Sequence, residues 1–396
     1  NIKSGDEFPV REFLHRAEQI LDECTYSIDA IVGYWDFPVS TVLPIVRHHY
    51  NLPGPTLESV LKCEHKYWSR VEQQHVIPEY IPEFCAVDPF ADDPADQITV
   101  DYPFWIKPVK AASSHLGFKV RNRAELEHAI QLTRRNIFRF GRPFNYLLQF
   151  AELPDDVAPV DGFHCIVEGI ISRGRQCTLE GYVYNGGVRV YGAVDSIREG
   201  RHRSSFSRYQ YPSSIPLRIQ KKMIAVTECF FGSIEFDNGP FNIEFYWETG
   251  RDSIWLLEIN TRISKSHAPL FQMVDGTYHH QVMVDLGLGR KPEFMTGQGR
   301  GECALAAKFM VRRFRDARVT LVPTAQDISA VEAAVPHSRI QVAVREGMWL
   351  SELSDQDSYS YEVATIFIGA DSRAELEARY RECLAALPLR FEERAL

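Results

Sequence analysis

No stretch of this 396-residue sequence is apolar for long enough to cross a bilayer as a helix. Runs such as DAIVGYW and DSIWLLEI break within about ten residues, where a spanning helix needs about 20 in succession. Basic charge is also short: 44 Lys and Arg against 53 Asp and Glu leave a formal net charge of −9. No global positive field therefore gathers nucleic acid or an anionic membrane surface, and neither is expected as a partner. Cysteine is sparse and unpatterned. The eight cysteines (Cys24, Cys63, Cys85, Cys165, Cys177, Cys229, Cys303 and Cys383) contain no C-x-x-C spacing. They read as reduced thiols of a cytoplasmic protein, not as a disulfide framework or a zinc site. The opening NIKSGDEFPVREF has neither the basic start nor the apolar core of a secretion signal. It begins on Asn1, not Met, as expected of a segment from inside a longer protein. Repeats and low-complexity tracts are missing as well.

What is present is ordinary globular material, 45% hydrophobic and 24% charged, which is enough for a large core and two or three domains. Residues 28–35, IDAIVGYW, form an apolar β-branched run. LPIVRHHYNLPGP follows as an amphipathic segment closed by a Pro-Gly-Pro turn, and together they read as a piece of an α/β unit. Over 57–75, Leu57, Val60, Leu61, Tyr67, Trp68 and Val71 recur near helical spacing, which puts Lys66 on a helix. The Asp-, Pro- and Ala-rich stretch 85–101 reads as a loop between lobes. YPFWIKPV then reads as a strand, KAASSHLG as a loop, FKV as a second strand and RAELEHAIQLTRRN as an amphipathic helix. NYLLQF reads as a further apolar strand, and FHCIVEGIIS, CTLEGYVYNG and VRVYGAVDS as an antiparallel sheet. Residues 195–214 carry five basic side chains and no apolar period, the pattern of a mobile surface loop, and the helix RIQKKMIAVTECFF follows. From about 301, ALAAKFMV, YSYEVATIFIGA and SRAELEARYRECLAAL suggest a small α+β appendage. The fold class is thus α/β (α+β). An N-terminal lobe is expected over 1–84, incomplete at its start. A catalytic region covers 85–300, with a lid-like lobe near 102–148 and a sheet lobe near 149–300, and a C-terminal α+β domain covers 301–396.

The chemistry concentrates in FNIEFYWETGRDSIWLLEINTR. Alternation of strand faces puts Asn242, Glu244, Tyr246 and Glu248 on one side of the first strand, opposite Phe241, Ile243, Phe245 and Trp247. In the second strand the same parity groups Leu256, Glu258 and Asn260, opposite Trp255, Leu257 and Ile259. A turn centred near Arg251 then pairs Glu244 with Glu258 and Asn242 with Asn260. Carboxylates opposed in this way repel unless a cation or a proton lies between them. Magnesium, or manganese in its place, is held by one or two carboxylates with phosphates and water, and Glu244, Glu258 and Asn260 supply such a set. Arg262 points the same way and suits charge that grows on a transferring phosphoryl group. A hairpin with a merely solvated polar face is the open alternative at this stage.

Glu244 followed by Glu258-Ile259-Asn260-Thr261-Arg262 resembles the signature of the ATP-grasp superfamily, and the resemblance runs from roughly residue 28 to the C-terminus. It implies an N-terminal α/β pre-grasp lobe, two grasp lobes, a small C-terminal appendage, and ATP with Mg2+. Lys107 in WIKPV stands where a family lysine contacts ATP phosphates; otherwise it is a surface lysine. Lys66, with Arg70 beyond it in EHKYWSR, matches an earlier phosphate-binding lysine, against a solvated helix lysine. KAASSHLG takes the place of the phosphate loop, kept small by Ser113 and Ser114. LLQFAEL corresponds to the strand and hinge that hold adenine, which nominates Gln149, Phe150 and Glu152. Beyond Arg262, Lys265 and Ser266 stand where glycines are common, and His267 is either a substrate contact or a helix-start polar group. Arg198, Arg201, His202, Arg203 and Arg208 are candidates for closing on the acid substrate, or a solvated basic loop.

The resemblance implies an ADP-forming carboxylate–amine ligase of the amino-acid or dipeptide kind. A substrate carboxylate attacks the γ-phosphate, and an amine displaces phosphate from the acyl phosphate. Lys66 and Lys107 would hold the phosphate tail and Arg262 the acyl phosphate. A carboxyphosphate-forming enzyme of the biotin-carboxylase kind is the nearest rival, and an inactive nucleotide-binding regulator is the rival from another class. Small-molecule acid and amine partners are expected, and a homodimer is compatible with the sequence.

Overall fold

In the computed structural model of the chain, residues 8–111, 115–199, 205–294, 300–353 and 360–393 are described, except for the side chain of Glu199. Four helices open it: α1 (Val10–Asp22), α2 (Val39–His49), α3 (Leu57–Glu64) and α4 (Lys66–Val76). The periodic run 57–75 is broken at His65, whose ring nitrogen accepts from the Trp68 amide at 3.2 Å and so caps α4. Lys66 is the first residue of that helix. Residues 28–35, read from the sequence as a piece of an α/β unit, form neither helix nor strand. They run without a ladder partner among the described residues, and Arg47 on α2 ties them down through a 2.7 Å bond to the Ile31 carbonyl.

A four-stranded antiparallel sheet follows, built from β1 (Phe84–Val87), β2 (Phe104–Pro108), β3 (Phe118–Val120) and β4 (Cys165–Gly169) in the order β1-β4-β2-β3. α5 (Arg123–Asn136) and α6 (Phe138–Leu148) lie in the chain between β3 and β4. α5 starts where the Asn122 side chain accepts from the Glu125 amide, and it buries Leu126, Ala129, Ile130 and Thr133 at helical spacing. α6 corrects the expectation of a strand at NYLLQF. Gly141, Phe144, Leu147 and Leu148 are buried at helical spacing, and a short apolar run of this kind is ambiguous until its neighbours are known.

The remaining elements are β5 (Arg175–Tyr184), β6 (Gly187–Glu199), β7 (Ser205–Tyr211), α7 (Leu217–Phe231), β8 (Gly239–Glu248), β9 (Ser253–Asn260), α8 (Ala268–Asp275) and α9 (His280–Gly287). After these come β10 (Leu305–Arg313), β11 (Ala317–Leu321), α10 (Ala325–Ala334), β12 (Ser338–Val342), β13 (Tyr361–Ala370), α11 (Arg373–Ala386) and β14 (Arg390–Glu393). Eight strands make one antiparallel sheet ordered β12-β13-β10-β7-β6-β5-β8-β9, and β11 and β14 form a separate pair. Because β7 pairs with β10, strands from both sides of residue 301 share a sheet. α7 covers one face, packing Ile219, Met223, Val226 and Phe230 onto Phe241, Ile243 and Phe245.

The supposed loop at 195–214 is largely strand. β6 and β7 pair from Asp195↔Gln210 to Glu199↔Ser205, with a register shift between Ile197 and Arg198. Its polar side chains carry no hydrophobic alternation because several of them, Ser196, Arg198, Tyr209 and Gln210 included, line a cavity. Arg201, His202 and Arg203 lie outside the described residues. The eight cysteines are free, and five of them (Cys63, Cys165, Cys177, Cys303 and Cys383) are buried.

One irregularity shapes the central hairpin. Glu244 faces Glu258 and Asn242 faces Asn260, but the register slips next to them so that Phe245 opposes Leu256. The bulge leaves Leu257 over and flips the parity of the rest of β9. Leu256, expected beside Glu258, lies instead in the core with Ile254 and Ile259. Arg70 stabilises the bulge by donating to the carbonyls of Leu256 at 3.2 Å and Leu257 at 2.8 Å.

Candidate functional site

A cavity of about 1700 Å3 opens between the small and large sheets. On the small-sheet side it is lined by Trp105, Lys107 and Glu168, and on the large-sheet side by Gln176, Arg198, Glu244, Glu258 and Asn260, with Arg262 just past β9. Strand pleating explains the convergence: Glu244 and Glu258 are cross-strand partners and project to one face, two residues before or after the asparagine pair.

Basic residues reach across this gap. Lys66 Nζ lies 3.1 Å from Glu258 Oε1 and donates to the Ala111 carbonyl at 3.2 Å. Lys107 Nζ is 2.5 Å from Glu168 Oε2, while Arg70 Nε holds the other oxygen of the same carboxylate at 2.7 Å. Burial opposes ionisation of Glu168, but Lys107 and Arg70 outweigh it and hold its carboxyl at about 2. Lys110 Nζ bonds Glu64 at 2.8 Å, which in turn accepts from the Ser40 hydroxyl. Arg262 is oriented by Asp36 at 2.9 Å, and burial of Asp36 is overcome by this guanidinium and Lys110, so its carboxyl stays well below the usual range.

The two hairpin carboxylates behave unequally. Burial, reinforced by the charge of Glu258, pushes Glu244 up to about 7. Glu258 is also pressed upward by burial, yet Lys66 and Lys107 prevail and its carboxyl is lowered. In the absence of a cation, then, the pair keeps a proton on Glu244 near neutral pH. The donor set fits a hard divalent ion. Asn260 donates its amide nitrogen to Asn242 Oδ1 at 3.0 Å, and its side-chain oxygen, on the cavity wall with the two carboxylates, accepts from Arg262 at 3.5 Å. Arg262 Nε is buried without a hydrogen-bond partner, the state expected of a group that awaits an anion. Among the described residues, no cluster of three or more His, Cys, Asp or Glu is placed to hold a metal ion.

A second cavity of about 420 Å3 adjoins the first and shares Asp36, Glu244 and Arg262 with it. Tyr34, Trp35, Tyr209, Lys265 and His267 also line it. The Lys265 ammonium sits 5.1 Å from the Trp35 ring centre.

Of the residues nominated from sequence, Lys66, Lys107, Arg198, Glu244, Glu258, Asn260 and Arg262 line the large cavity, and Lys265 and His267 the small one. Gln149, Phe150 and Glu152 line neither. They follow α6, with Phe150 46% exposed and the Glu152 amide bonded to Glu58, so the adenine-hinge assignment is corrected. The chain crosses between the sheets at 170–174, where Gly169, Ile171, Ser172 and Gly174 line the cavity. Gly174 adopts φ +91°, and a Cβ there would strike the Trp247 carbonyl, so the crossover requires glycine. Ser113, Ser114 and Arg201 fall outside the described residues. Sequence reading also missed Asp36, Lys110, Glu168, Gln176 and Lys308. Glu168-Gly169 at the end of an apolar strand was the one legible signal among them. Lys308 reaches the Ser266 hydroxyl from β10 at 3.2 Å, a contact between distant segments.

No family model matches the sequence, and no curated protein does. The fold, however, is similar to solved structures. An L-amino acid ligase from Bacillus licheniformis matches over 97% of this chain and 85% of its own, at 16% identity and TM-score 0.70. A biotin carboxylase–nucleotide complex from Campylobacter jejuni matches over 97% and 79%, at 13% identity and TM-score 0.64. A phosphoribosylglycinamide synthetase from Anaerococcus prevotii matches over 95% and 85%, at 12% identity and TM-score 0.61. Among the described residues, no helix is long and apolar enough to cross a membrane. Two antiparallel sheets closing on a cavity, with the likeness of these enzymes along nearly the whole chain, show that the chain shares their fold.

Proposed function

We propose that the chain is an ADP-forming carboxylate–amine ligase acting on a small acid, of the amino-acid kind, and a small amine. The observation that carries this reading is the shared wall of the two cavities. Arg262 and Glu244 face the large one, where Lys66 and Lys107 await phosphates, and also the small one, which has room for an organic substrate. An acid in the small cavity would present its carboxylate to a γ-phosphate in the large one.

In the first step a carboxylate oxygen forms a bond to the γ-phosphorus, and the bond to the bridging oxygen breaks, releasing ADP. In the second, the amine nitrogen bonds the acyl carbon and phosphate leaves. Lys66 and Lys107 neutralise and hold the phosphate chain, and Arg262, fixed by Asp36, faces the charge that grows on the acyl phosphate and its tetrahedral successor. Glu244, Glu258 and Asn260 are the residues that would hold Mg2+, which when bound supplies positive charge between phosphate oxygens. The L-amino acid ligase likeness supports this substrate class. A carboxyphosphate route uses the same wall, but bicarbonate would fill only a small part of a 420 Å3 cavity lined by Tyr34 and Trp35.

The test is a screen of amino acids and other carboxylic acids for acid-dependent ADP and phosphate release, with hydroxylamine as trap. A hydroxamate is the expected product. Formation of AMP and pyrophosphate, or ATP turnover that bicarbonate alone supports, would refute the proposal.

A further inference from the structure

One buried acidic group is unused by the site as described. Glu180 on β5 is fully buried, and among the described residues no Lys or Arg forms an ion pair with it. A carboxylate removed from water without such a partner must share a proton. Its neighbours supply one: Oε1 lies 2.7 Å from His267 Nδ1, and Oε2 lies 3.8 Å from His279 Nδ1 and accepts from the Ser264 amide at 3.4 Å. His279 in turn meets the Tyr191 hydroxyl at 3.2 Å.

His267 is the outer end of this chain. It occupies the N-cap position of α8, yet its side chain makes no capping bond, which removes the helix-start role considered from sequence. Nδ1 is committed to Glu180, Tyr209 meets the ring edge-on at 5.0 Å between ring centres, and the ring lines the small cavity beside Arg262 and Glu244. Burial first, then the charges of Lys308 and Arg262, lower its pKa, so the resting ring is neutral, and the Glu180 carboxylate 2.7 Å away opposes that lowering once it is ionised. Burial lifts Glu180 to about 7. Above that pH, Glu180 is a carboxylate that accepts from Nδ1–H, and Nε2 keeps its lone pair.

Building on the ligase reading, we propose that His267 Nε2, aligned by Glu180, takes a proton from the amine as its nitrogen attacks the activated acyl carbon. An ammonium nitrogen sheds two protons in becoming an amide N–H. One leaves with the departing phosphate. The other passes to Nε2, giving an imidazolium balanced by the Glu180 carboxylate, and then to water. The C–N bond forms as the bond from the acyl carbon to the phosphate oxygen breaks. His267 is thus a catalytic residue and Glu180 a positioning residue.

Two small nucleophiles separate this role from a structural one. Ammonium is almost wholly protonated near neutral pH and needs a proton acceptor, whereas hydroxylamine is largely neutral. The ratio of amide formation from ammonium chloride to hydroxamate formation, measured within one preparation, is independent of the fraction folded. In His267→Asn this ratio is expected to fall roughly 100-fold, the low end of general-base contributions. In Glu180→Gln the rise of the ammonium rate through about pH 7 should disappear. Parallel loss of both reactions, with the ratio kept, would overturn the proposal, as would wild-type protein that uses hydroxylamine but not ammonium. If the wild type forms no hydroxamate with any acid, the ligase reading itself fails, and the inference falls with it.

Discussion

Replacing Glu244 by Gln should stabilise the ligand-free protein while destroying its response to metal and nucleotide. The folded carboxyl sits at about 7 and its unfolded reference at 4.5. Below 4.5 the group is protonated in both states and contributes nothing. Between 4.5 and about 7 the unfolded chain ionises while the folded one does not, so stability is lost as pH rises. Above 7 the full cost applies, about 3 kcal/mol at about 1.4 kcal/mol per pH unit. Gln keeps an acceptor for the 2.6 Å bond from Gln176 and removes the repulsion from Glu258. The variant should therefore melt roughly 4 °C or more above wild type at pH 8, with the gap closing by pH 5. Thermal melts at both pH values, with and without Mg2+ and a non-hydrolysable ATP analogue, measure both halves. The ligands should raise the wild-type midpoint and leave the variant unmoved. A variant less stable than wild type at pH 8, or a gap that does not shrink toward pH 5, would refute the reasoning.

Four further outcomes follow from the geometry. Arg70→Met strands the buried Glu168 with Lys107 alone and unpairs two bulge carbonyls, so chemical denaturation should show a loss of about 3–5 kcal/mol. Because Glu168 is held at about 2 against 4.5 unfolded, its contribution is complete above pH 4.5 and is lost as pH falls toward 2, and Glu168→Gln should flatten that acid limb. Gly174→Ala forces a side chain into positive φ against the Trp247 carbonyl, costing about 1–3 kcal/mol for the backbone alone, read as a lower melting temperature. Ile171→Asp, which puts a charge into the cavity wall, should raise the KM for ATP at least about tenfold, whereas Phe150→Ala should leave it unchanged.

The Glu244–Glu258 and Asn242–Asn260 partnerships were legible in the sequence because a strand repeats every two residues and a short turn fixes which residues meet. The bulge was not, since its cause, the Arg70 side chain, comes from a helix some 186 residues earlier. α5 was readable from its cap and its apolar spacing. NYLLQF was not, because a few apolar residues suit strand and helix equally until Phe144 and Leu147 meet the N-terminal helices. The polar strands β6 and β7 looked like a loop for a related reason: their inward side chains face a polar cavity instead of a hydrophobic core. Glu168 and Asp36 owe their roles to cations brought from other elements, and one-dimensional spacing carries no trace of that.

The pairing of β7 with β10 bears on how the chain can be cut. A fragment ending near residue 300 would strip β10 from its neighbour and leave the row of amides and carbonyls from Arg208 to Tyr211 open to water. Such an exposed margin, carrying Tyr209 and Tyr211, is a template on which a second molecule can add its own strand. The C-terminal quarter therefore acts as a selvedge that keeps the sheet from unravelling into its neighbours, and shortened forms should precipitate as ordered aggregates before they are ever assayed.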